Sequence, residues 1–153
     1  MTISSNIKYL KLVYTSRTQT TKEPDSEDGW DRGDTETSYE VRGVTLQEED
    51  SYNAIPVEHI NKGDTIYIVY AVYSTGDTFG TDSGGEIELV SVHKTKELAE
   101  KNVRMINSRT KKEANCSISI ELDNGNIFTR YCPWDGYFES LDYCEYKEVV
   151  VNY

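Results

Sequence analysis

The chain has few of the residues from which catalytic centres and disulfide frameworks are built. Its 153 residues include two histidines, three prolines and three cysteines. The cysteines (Cys116, Cys132 and Cys144) are odd in number and irregularly spaced, which does not fit the disulfide framework of a small secreted domain. We therefore expect structural thiols and a reducing, cytoplasmic environment.

Long apolar runs and targeting signals are also missing from the sequence. No stretch approaches the roughly 20 apolar residues that a helix needs to cross a bilayer. The first six residues have neither the basic start nor the apolar segment of a signal peptide. We expect no association with membranes and a cytoplasmic location.

Motifs that carry chemistry are absent as well. The glycines of residues 76–85 do not have the spacing of a phosphate-binding loop, and no Lys-Ser or Lys-Thr pair follows them. Residues 25–29 fail the pattern of a calcium-binding EF-hand. Neither histidine lies in a recognisable nucleophile–base motif, and His93 is followed by Lys94. We assign no catalytic residue, no metal and no cofactor, and we expect a protein that is not an enzyme.

Charge is plentiful but unevenly distributed. The net charge is −11, with eleven acids and two bases in residues 23–50 and seven acids and two bases in residues 121–148. Residues 94–112 have seven bases and two acids. Acidic surfaces repel nucleic acid and attract basic proteins, so we expect a basic protein partner and no direct binding of nucleic acid. The alternative is that the acids serve solubility alone.

The most apolar run, residues 64–73, predicts a central strand. Large apolar side chains point to both sides of it, because side chains alternate along a strand. Residues 86–93 predict a second strand, with Ile87, Leu89 and Ser91 on one face and nearer an edge of the sheet. Residues 95–107 predict a helix with Thr95 as its N-cap and an apolar stripe. The stripe consists of Leu98, Ala99, Val103 and Ile106.

Further strands are predicted at residues 7–14, 39–46 and 143–151, and a hairpin at residues 116–131. Gly43 indicates a bulge or a close approach of another part of the chain, and residues 61–64 indicate a turn. Together these elements predict an α+β fold, in which one principal helix packs on an antiparallel sheet of about five to seven strands. We expect residues 1–153 to form a single domain.

Two segments are predicted to be loops that bind partners or ligands. The polar, acidic segment 15–39 predicts a mobile loop, in which Trp30 either packs on the core or anchors a partner. Its candidate partner-binding residues are Asp25, Glu27, Asp28, Trp30, Asp31 and Asp34. The glycine-rich segment 74–85 predicts a long loop with candidate ligand residues of its own. These are Asp77, Thr78, Phe79 and Asp82, together with Arg104, Trp134 and Tyr137.

A resemblance to a known group of proteins rests on two segments and the helix between them. The segments are residues 67–80 (YIVYAVYSTGDTFG) and 133–141 (PWDGYFESL). The chain resembles uncharacterised small acidic proteins of bacteriophages and prophages over roughly its second half. The resemblance implies a phage or prophage gene, and for a phage gene the cytoplasmic location would be the cytoplasm of the host cell. Small acidic proteins of that kind are often inhibitors of host defence, such as anti-CRISPR and anti-restriction proteins, and some mimic the charge of DNA. The resemblance assigns no catalytic residues.

Three functions remain open at this stage. The first is a non-enzymatic inhibitor of a host defence or nucleic-acid enzyme, which acts through an acidic and aromatic surface, with DNA mimicry as one form of that action. The second is a small-molecule binder, such as a nucleotide sponge, that uses the glycine-rich segment. The third is a virion or assembly component. The sequence identifies neither the partner nor the oligomeric state.

Overall fold

A computed structural model describes residues 8–23, 33–51, 53–77, 80–112, 118–121, 127–130 and 138–152. In the described residues, eight strands and one helix follow one another along the chain. They are β1 Lys8–Lys22, β2 Gly33–Gln47, β3 Ala54–Val57, β4 Thr65–Asp77, β5 Gly80–His93, α1 Lys96–Lys112, β6 Ile118–Glu121, β7 Ile127–Arg130 and β8 Phe138–Asn152.

Six of the strands form one sheet, in the order β3-β1-β2-β5-β4-β8, and a further pairing of β2 with β8 closes it into a barrel. The prediction of an α+β fold with one helix on a sheet of five to seven strands is confirmed. The prediction that the sheet is antiparallel is wrong, because β2 runs parallel to both β5 and β8. Side-chain alternation is the same in parallel and antiparallel strands, so it did not reveal this direction.

β2 is the strand at which the barrel closes. One of its edges pairs antiparallel with β1 along almost its whole length. The other edge pairs with β5 over residues 33–36 and with β8 at Val44 and Thr45. Between these two pairings, the Lys147 ammonium donates a 2.7 Å hydrogen bond to the carbonyl oxygen of Val41. A side chain from β8 thus satisfies part of the edge with which no described strand pairs.

β4 is the central strand, as the sequence predicts, and its two faces belong to two apolar clusters. β5 and β8 pair antiparallel with its two edges. One face of β4 packs in the barrel interior, and the other packs under α1. The barrel cluster includes Ile66, Ile68, Tyr70 and Val72, and the cluster under the helix includes Val69, Ala71 and Tyr73.

β5 lies inside the sheet, between β2 and β4, and not near an edge. A register shift opposite Val69 and Tyr70 leaves Val90 as an extra residue in β5. Beyond the bulge, Ser91 pairs with Val69 and therefore faces α1 and not the barrel interior. The predicted shared face of Ile87, Leu89 and Ser91 is thus wrong at Ser91, because an extra residue reverses the alternation.

The glycine-rich segment is mostly a hairpin and not a long loop. β4 continues to Asp77 and β5 begins at Gly80, with Gly76 paired to Thr81. The predicted loop of residues 74–85 is therefore wrong. Glycine, threonine and serine indicate turns when they cluster, but they also fit a strand whose partners supply the hydrogen bonds.

The predicted loop of residues 15–39 is also wrong over most of its length. β1 extends to Lys22 and β2 begins at Gly33, so residues 15–22 and 33–39 form a long antiparallel ribbon, which β5 joins at residues 33–36. Tyr14 and Tyr39 pack edge to face at its base, with ring centroids 5.5 Å apart. The composition is polar because the ribbon is largely exposed, and its β-branched threonines favour strand over loop.

Several local predictions are confirmed. Thr95 caps α1 through a 3.4 Å hydrogen bond from the Leu98 amide. The turn of residues 61–64 is closed by the Asp64 amide, which donates to the Asn61 carbonyl at 3.1 Å. A bulge precedes Gly43, where Arg42 is the extra residue of β2. β6 and β7 form the predicted hairpin as a separate two-stranded sheet.

The helix buries a narrower face than its apolar stripe predicts. Ala99 and Ile106 are buried against the sheet, whereas Leu98 is 41% exposed and lies outside the core. A buried asparagine, Asn102, takes the place between Ala99 and Ile106. Among the described residues, no helix has the length and apolar character required to span a membrane.

Candidate functional site

Tyrosine hydroxyls hold three carboxylates in place, two on the side of the sheet that faces α1 and one on the barrel face. The first pair joins β4 and β5. Tyr73 is almost fully buried under the helix, at 1% exposure, and its hydroxyl donates a 3.2 Å hydrogen bond to the Glu88 carboxylate. A buried ring leaves its hydroxyl little freedom, so the half-buried carboxylate of Glu88 has a fixed position.

The second pair joins β8 to α1. The Tyr146 hydroxyl donates a 2.8 Å hydrogen bond to the Glu100 carboxylate. That hydrogen bond is the main reason that the pKa of Tyr146 is raised above its ordinary value, since ionisation would place two negative charges together. Lys96 also lies 3.7 Å from the Glu100 carboxylate, one helical turn away. Glu100 is therefore held from two sides.

The third pair lies on the barrel face of the sheet. Tyr70 and Glu145 are cross-strand neighbours in β4 and β8, and the Tyr70 hydroxyl donates a 3.0 Å hydrogen bond to the carboxylate. Burial and the adjacent Glu145 raise the pKa of Tyr70 well above its ordinary value. The Tyr70 hydroxyl therefore stays a donor across the physiological range, and Glu145 presents its charge at an exposed position.

The negative charge of two of these carboxylates affects the pKa of one buried thiol. Cys144 is a free cysteine on β8, next in sequence to Glu145 and across β4 from Glu88. Burial first, and then the negative charges of Glu145 and Glu88, raise the pKa of the Cys144 thiol from 9.0 to about 12. The two carboxylates thus create a negative potential at one point of the sheet.

A second acidic element follows β2. Glu48, Glu49 and Asp50 are all exposed in the turn that leaves this strand. The side-chain amide nitrogen of Gln47 (Nε2) lies 2.7 Å from the Glu49 carbonyl oxygen and 2.8 Å from the Ser51 hydroxyl. These hydrogen bonds order the backbone of the turn, so its three carboxylates project from a fixed loop.

The surface is not acidic throughout. The exposed side of α1 carries Lys96, Lys101 and Arg104, in keeping with the basic composition of residues 94–112. A basic stripe beside carboxylates gives the molecule a dipolar surface. Such a surface would orient a partner as well as attract it.

The predicted partner-binding residues fall almost entirely outside the described part of the chain. Asp25, Glu27, Asp28, Trp30 and Asp31 lie in residues 24–32, for which the structure gives no account. Asp34 lies at the start of β2, half-buried and opposite Lys22 of β1. Their assignment to a partner remains a prediction.

The predicted ligand residues belong to different elements. Asp82 is an exposed residue of β5 and accepts a hydrogen bond from the Thr35 hydroxyl across the parallel pairing. Arg104 is exposed on α1, and Asp77 ends β4. The positions of Thr78, Phe79, Trp134 and Tyr137 lie outside the described residues.

A serine, a histidine and an asparagine meet beneath the helix, where the sequence offered no motif. The Ser91 hydroxyl lies 2.9 Å and the Asn102 amide nitrogen 2.6 Å from Nε2 of His93. Their exposures are 0%, 0% and 5% for Ser91, Asn102 and His93, so the group has no access to a substrate. It satisfies buried polar atoms between sheet and helix and is structural. Within the described ranges, no three metal-binding side chains come together.

The tyrosine–glutamate pairs are the part of the surface that sequence reasoning missed. Twelve tyrosines indicated rings at half-exposed strand positions. The pairing of Tyr70 with Glu145 depends on strand register, and that of Tyr146 with Glu100 depends on where α1 packs. Neither relation is visible in the spacing of residues along the chain.

Comparisons with protein-family models, with curated proteins and with solved structures found no match to this chain.

Proposed function

We propose that this protein is a non-enzymatic inhibitor that binds a host defence or nucleic-acid enzyme through its acidic surface. The enzyme's nucleic-acid-binding cleft is the natural target, because such clefts are basic in order to neutralise phosphates. The source is a phage or prophage, and the class is that of anti-CRISPR and anti-restriction proteins. This proposal agrees with the net charge of −11.

The observation that carries the proposal is the set of three carboxylates held by tyrosine hydroxyls. A mobile glutamate loses side-chain entropy when a partner fixes it, and that loss reduces affinity. Glu88, Glu100 and Glu145 are already positioned by Tyr73, Tyr146 and Tyr70. Charges that are fixed before binding favour recognition of a partner with a matching basic surface.

The experiment is capture of the partner from bacterial lysate on immobilised protein, at low and at high salt. One dominant nuclease or defence protein, retained at low salt and released at high salt, is the expected result, because screening weakens attraction between exposed charges. The captured enzyme should then cleave DNA more slowly when the protein is added.

Two outcomes would count against the proposal. One is a captured enzyme whose cleavage rate does not change in the presence of the protein. The other is the absence of a protein partner, together with release of a small molecule when the purified protein is denatured. That second result would favour a small-molecule sponge.

A further inference from the structure

The outer edge of β1 is a row of backbone groups that no described strand covers. β3 pairs with this edge only over residues 8–11, and the Leu12 amide then donates to the Asn53 carbonyl at 3.1 Å. Backbone groups alternate between the two edges of a strand, and the bulge opposite β1 lies in β2. The N–H and C=O groups of Tyr14, Ser16, Thr18 and Thr20 therefore point to this edge.

The edge lacks the features that prevent strands from pairing with a second chain. Residues 13–21 include no proline and one charge, Arg17. β1 stays in register with β2 from Tyr14 to Thr20, and its own bulge, at Thr21, lies only at the end of this stretch. Every residue from 15 to 22 is exposed, which leaves room for another strand. Long, regular edges of this kind are templates for strand addition.

We propose that two copies of the chain pair through this edge, antiparallel and with Thr18 on the two-fold axis. In an antiparallel pair, opposite residues share a face and residues with outward backbone groups lie opposite one another. Thr18 then lies opposite Thr18 of the second copy, and Ser16 lies opposite Thr20. The two sheets join into one continuous sheet.

The side chains of this register are compatible with self-pairing. Threonine beside threonine is a favourable cross-strand pair, and no like charges lie directly opposite. Arg17 lies opposite Gln19 of the second copy, and Gln19 is itself paired with Glu36 in β2. On the outer face, the side chains of Glu36, Gln19, Arg17 of the second copy and Ser38 of the second copy therefore lie in one row across the joined sheet. This order brings the negative charge of Glu36 toward the positive charge of Arg17 of the second copy. A register that centres on Arg17 would instead place two arginines opposite.

The effect of salt distinguishes this dimer from binding of a partner through the acidic surface. The dimer does not depend on the acidic surface. Two copies with a net charge of −11 each repel one another. Salt screens that repulsion and leaves backbone hydrogen bonds almost unchanged, so the dimer should persist or strengthen at high salt. Binding of a basic partner should weaken under the same conditions.

The test is the molar mass of the purified full-length chain by light scattering over a range of concentrations, with two substitutions at one position. Thr18→Pro removes the N–H that points to the edge, whereas Thr18→Ala keeps it and removes only the side chain. Both lose the 2.8 Å contact between the Thr18 and Thr37 hydroxyls, so that contact cancels in the comparison.

We expect a dimer for the wild type and for Thr18→Ala. For Thr18→Pro we expect a dimer dissociation constant about tenfold higher or more, since two symmetry-related hydrogen bonds are lost. A wild type that is monomeric at every concentration would overturn the proposal, as would equal masses for the two variants. Circular dichroism checks that each variant is folded.

A second measurement keeps the test independent of how Thr18→Pro folds. Thr18→Cys places two thiols across the axis, at a Cα separation of about 5.5 Å, within reach of a short bismaleimide. Thr15→Cys is the control, because the same register separates its two copies by about 20 Å along the strand. Cross-linking of Thr18→Cys above the wild-type level, and not of Thr15→Cys, is expected. Equal cross-linking of both, or of neither, would show that the copies do not pair in this way.

Discussion

Gly84 and Thr37 approach so closely that a methyl group on Gly84 would overlap the Thr37 carbonyl oxygen. Gly84 also has a φ of +66°, a conformation that L-residues adopt rarely. The two residues lie where the parallel pairing of β2 with β5 ends. This part of the barrel closure therefore requires glycine for two separate reasons.

Gly84→Ala should lower the free energy of unfolding by more than a left-handed conformation alone explains. Gly63→Ala is the matched control, because Gly63 has a φ of +89° and no atom lies within 4 Å of the place that its new methyl group would take. We expect about 1 kcal/mol of loss for Gly63→Ala and roughly 2–4 kcal/mol for Gly84→Ala, where backbone must move. Urea unfolding measures both, and equal losses would contradict the close approach.

Asn53 joins the two halves of the barrel with its side chain. Its amide nitrogen donates to the Ile87 carbonyl, and its amide oxygen accepts from the Leu89 amide, both at 3.1 Å. Its own carbonyl accepts from Leu12 of β1. The side chain of Asn53 thus makes the hydrogen bonds to β5 that a neighbouring strand would otherwise make. The backbone of Asn53 has a φ of 61°.

Substitution of Asn53 should separate the side-chain bonds from the backbone strain. Asn53→Gly removes both hydrogen bonds and suits the positive φ, so we expect a loss of about 1–3 kcal/mol. Asn53→Ala removes the same bonds and adds strain, for roughly 1 kcal/mol more. Urea unfolding of the two variants checks the order. A smaller loss for Asn53→Ala than for Asn53→Gly would contradict this account.

The sequence predicts the elements of this fold better than their partners. The central strand, the cap at Thr95 and the turn at Asn61 follow from local chemistry, and each is confirmed. The parallel pairings of β2 and the link through Asn53 depend on residues far apart in the chain. Residue alternation and turn propensity carry no information on such contacts.

The polar ribbon shows the limit of composition as a guide. Residues 15–22 contain no large apolar side chain and therefore resemble a loop. They form a strand because β2 supplies hydrogen bonds along one edge, and because threonine suits an exposed strand. The candidate site is affected in the same way, since the tyrosine–glutamate pairs depend on register.

Alkaline pH should destabilise the protein through Cys144. Its folded pKa, about 12, lies above the ordinary value of 9.0. The stability that the protonated thiol contributes is therefore fully present below pH 9. As the pH rises toward 12 this contribution is lost, which lowers the free energy of unfolding by up to about 4 kcal/mol. Buried tyrosines such as Tyr70, whose pKa is also raised, add to the same trend.

Cys144→Ala isolates the thiol from the tyrosines. Urea unfolding at pH 7 and at pH 10.5 should give a larger difference for the wild type than for Cys144→Ala. The tyrosines are present in both proteins, and Cys144 is the smallest of the causes that raise the pKa of Tyr70, so most of their effect cancels. The same pH dependence in both proteins would mean that the thiol is not protected by burial and by the neighbouring carboxylates.

The acidic surface is tested most directly by the affinity for the captured enzyme, measured with two triple variants of equal charge. Glu88, Glu100 and Glu145 become glutamine in the first. Glu40, Glu58 and Glu97, which are exposed and have no tyrosine hydroxyl bonded to them in the hydrogen bonds described, become glutamine in the control. We predict that the first variant binds at least about tenfold more weakly than the control. Equal affinities for the two variants would contradict the claim that the tyrosine-held carboxylates form the binding surface.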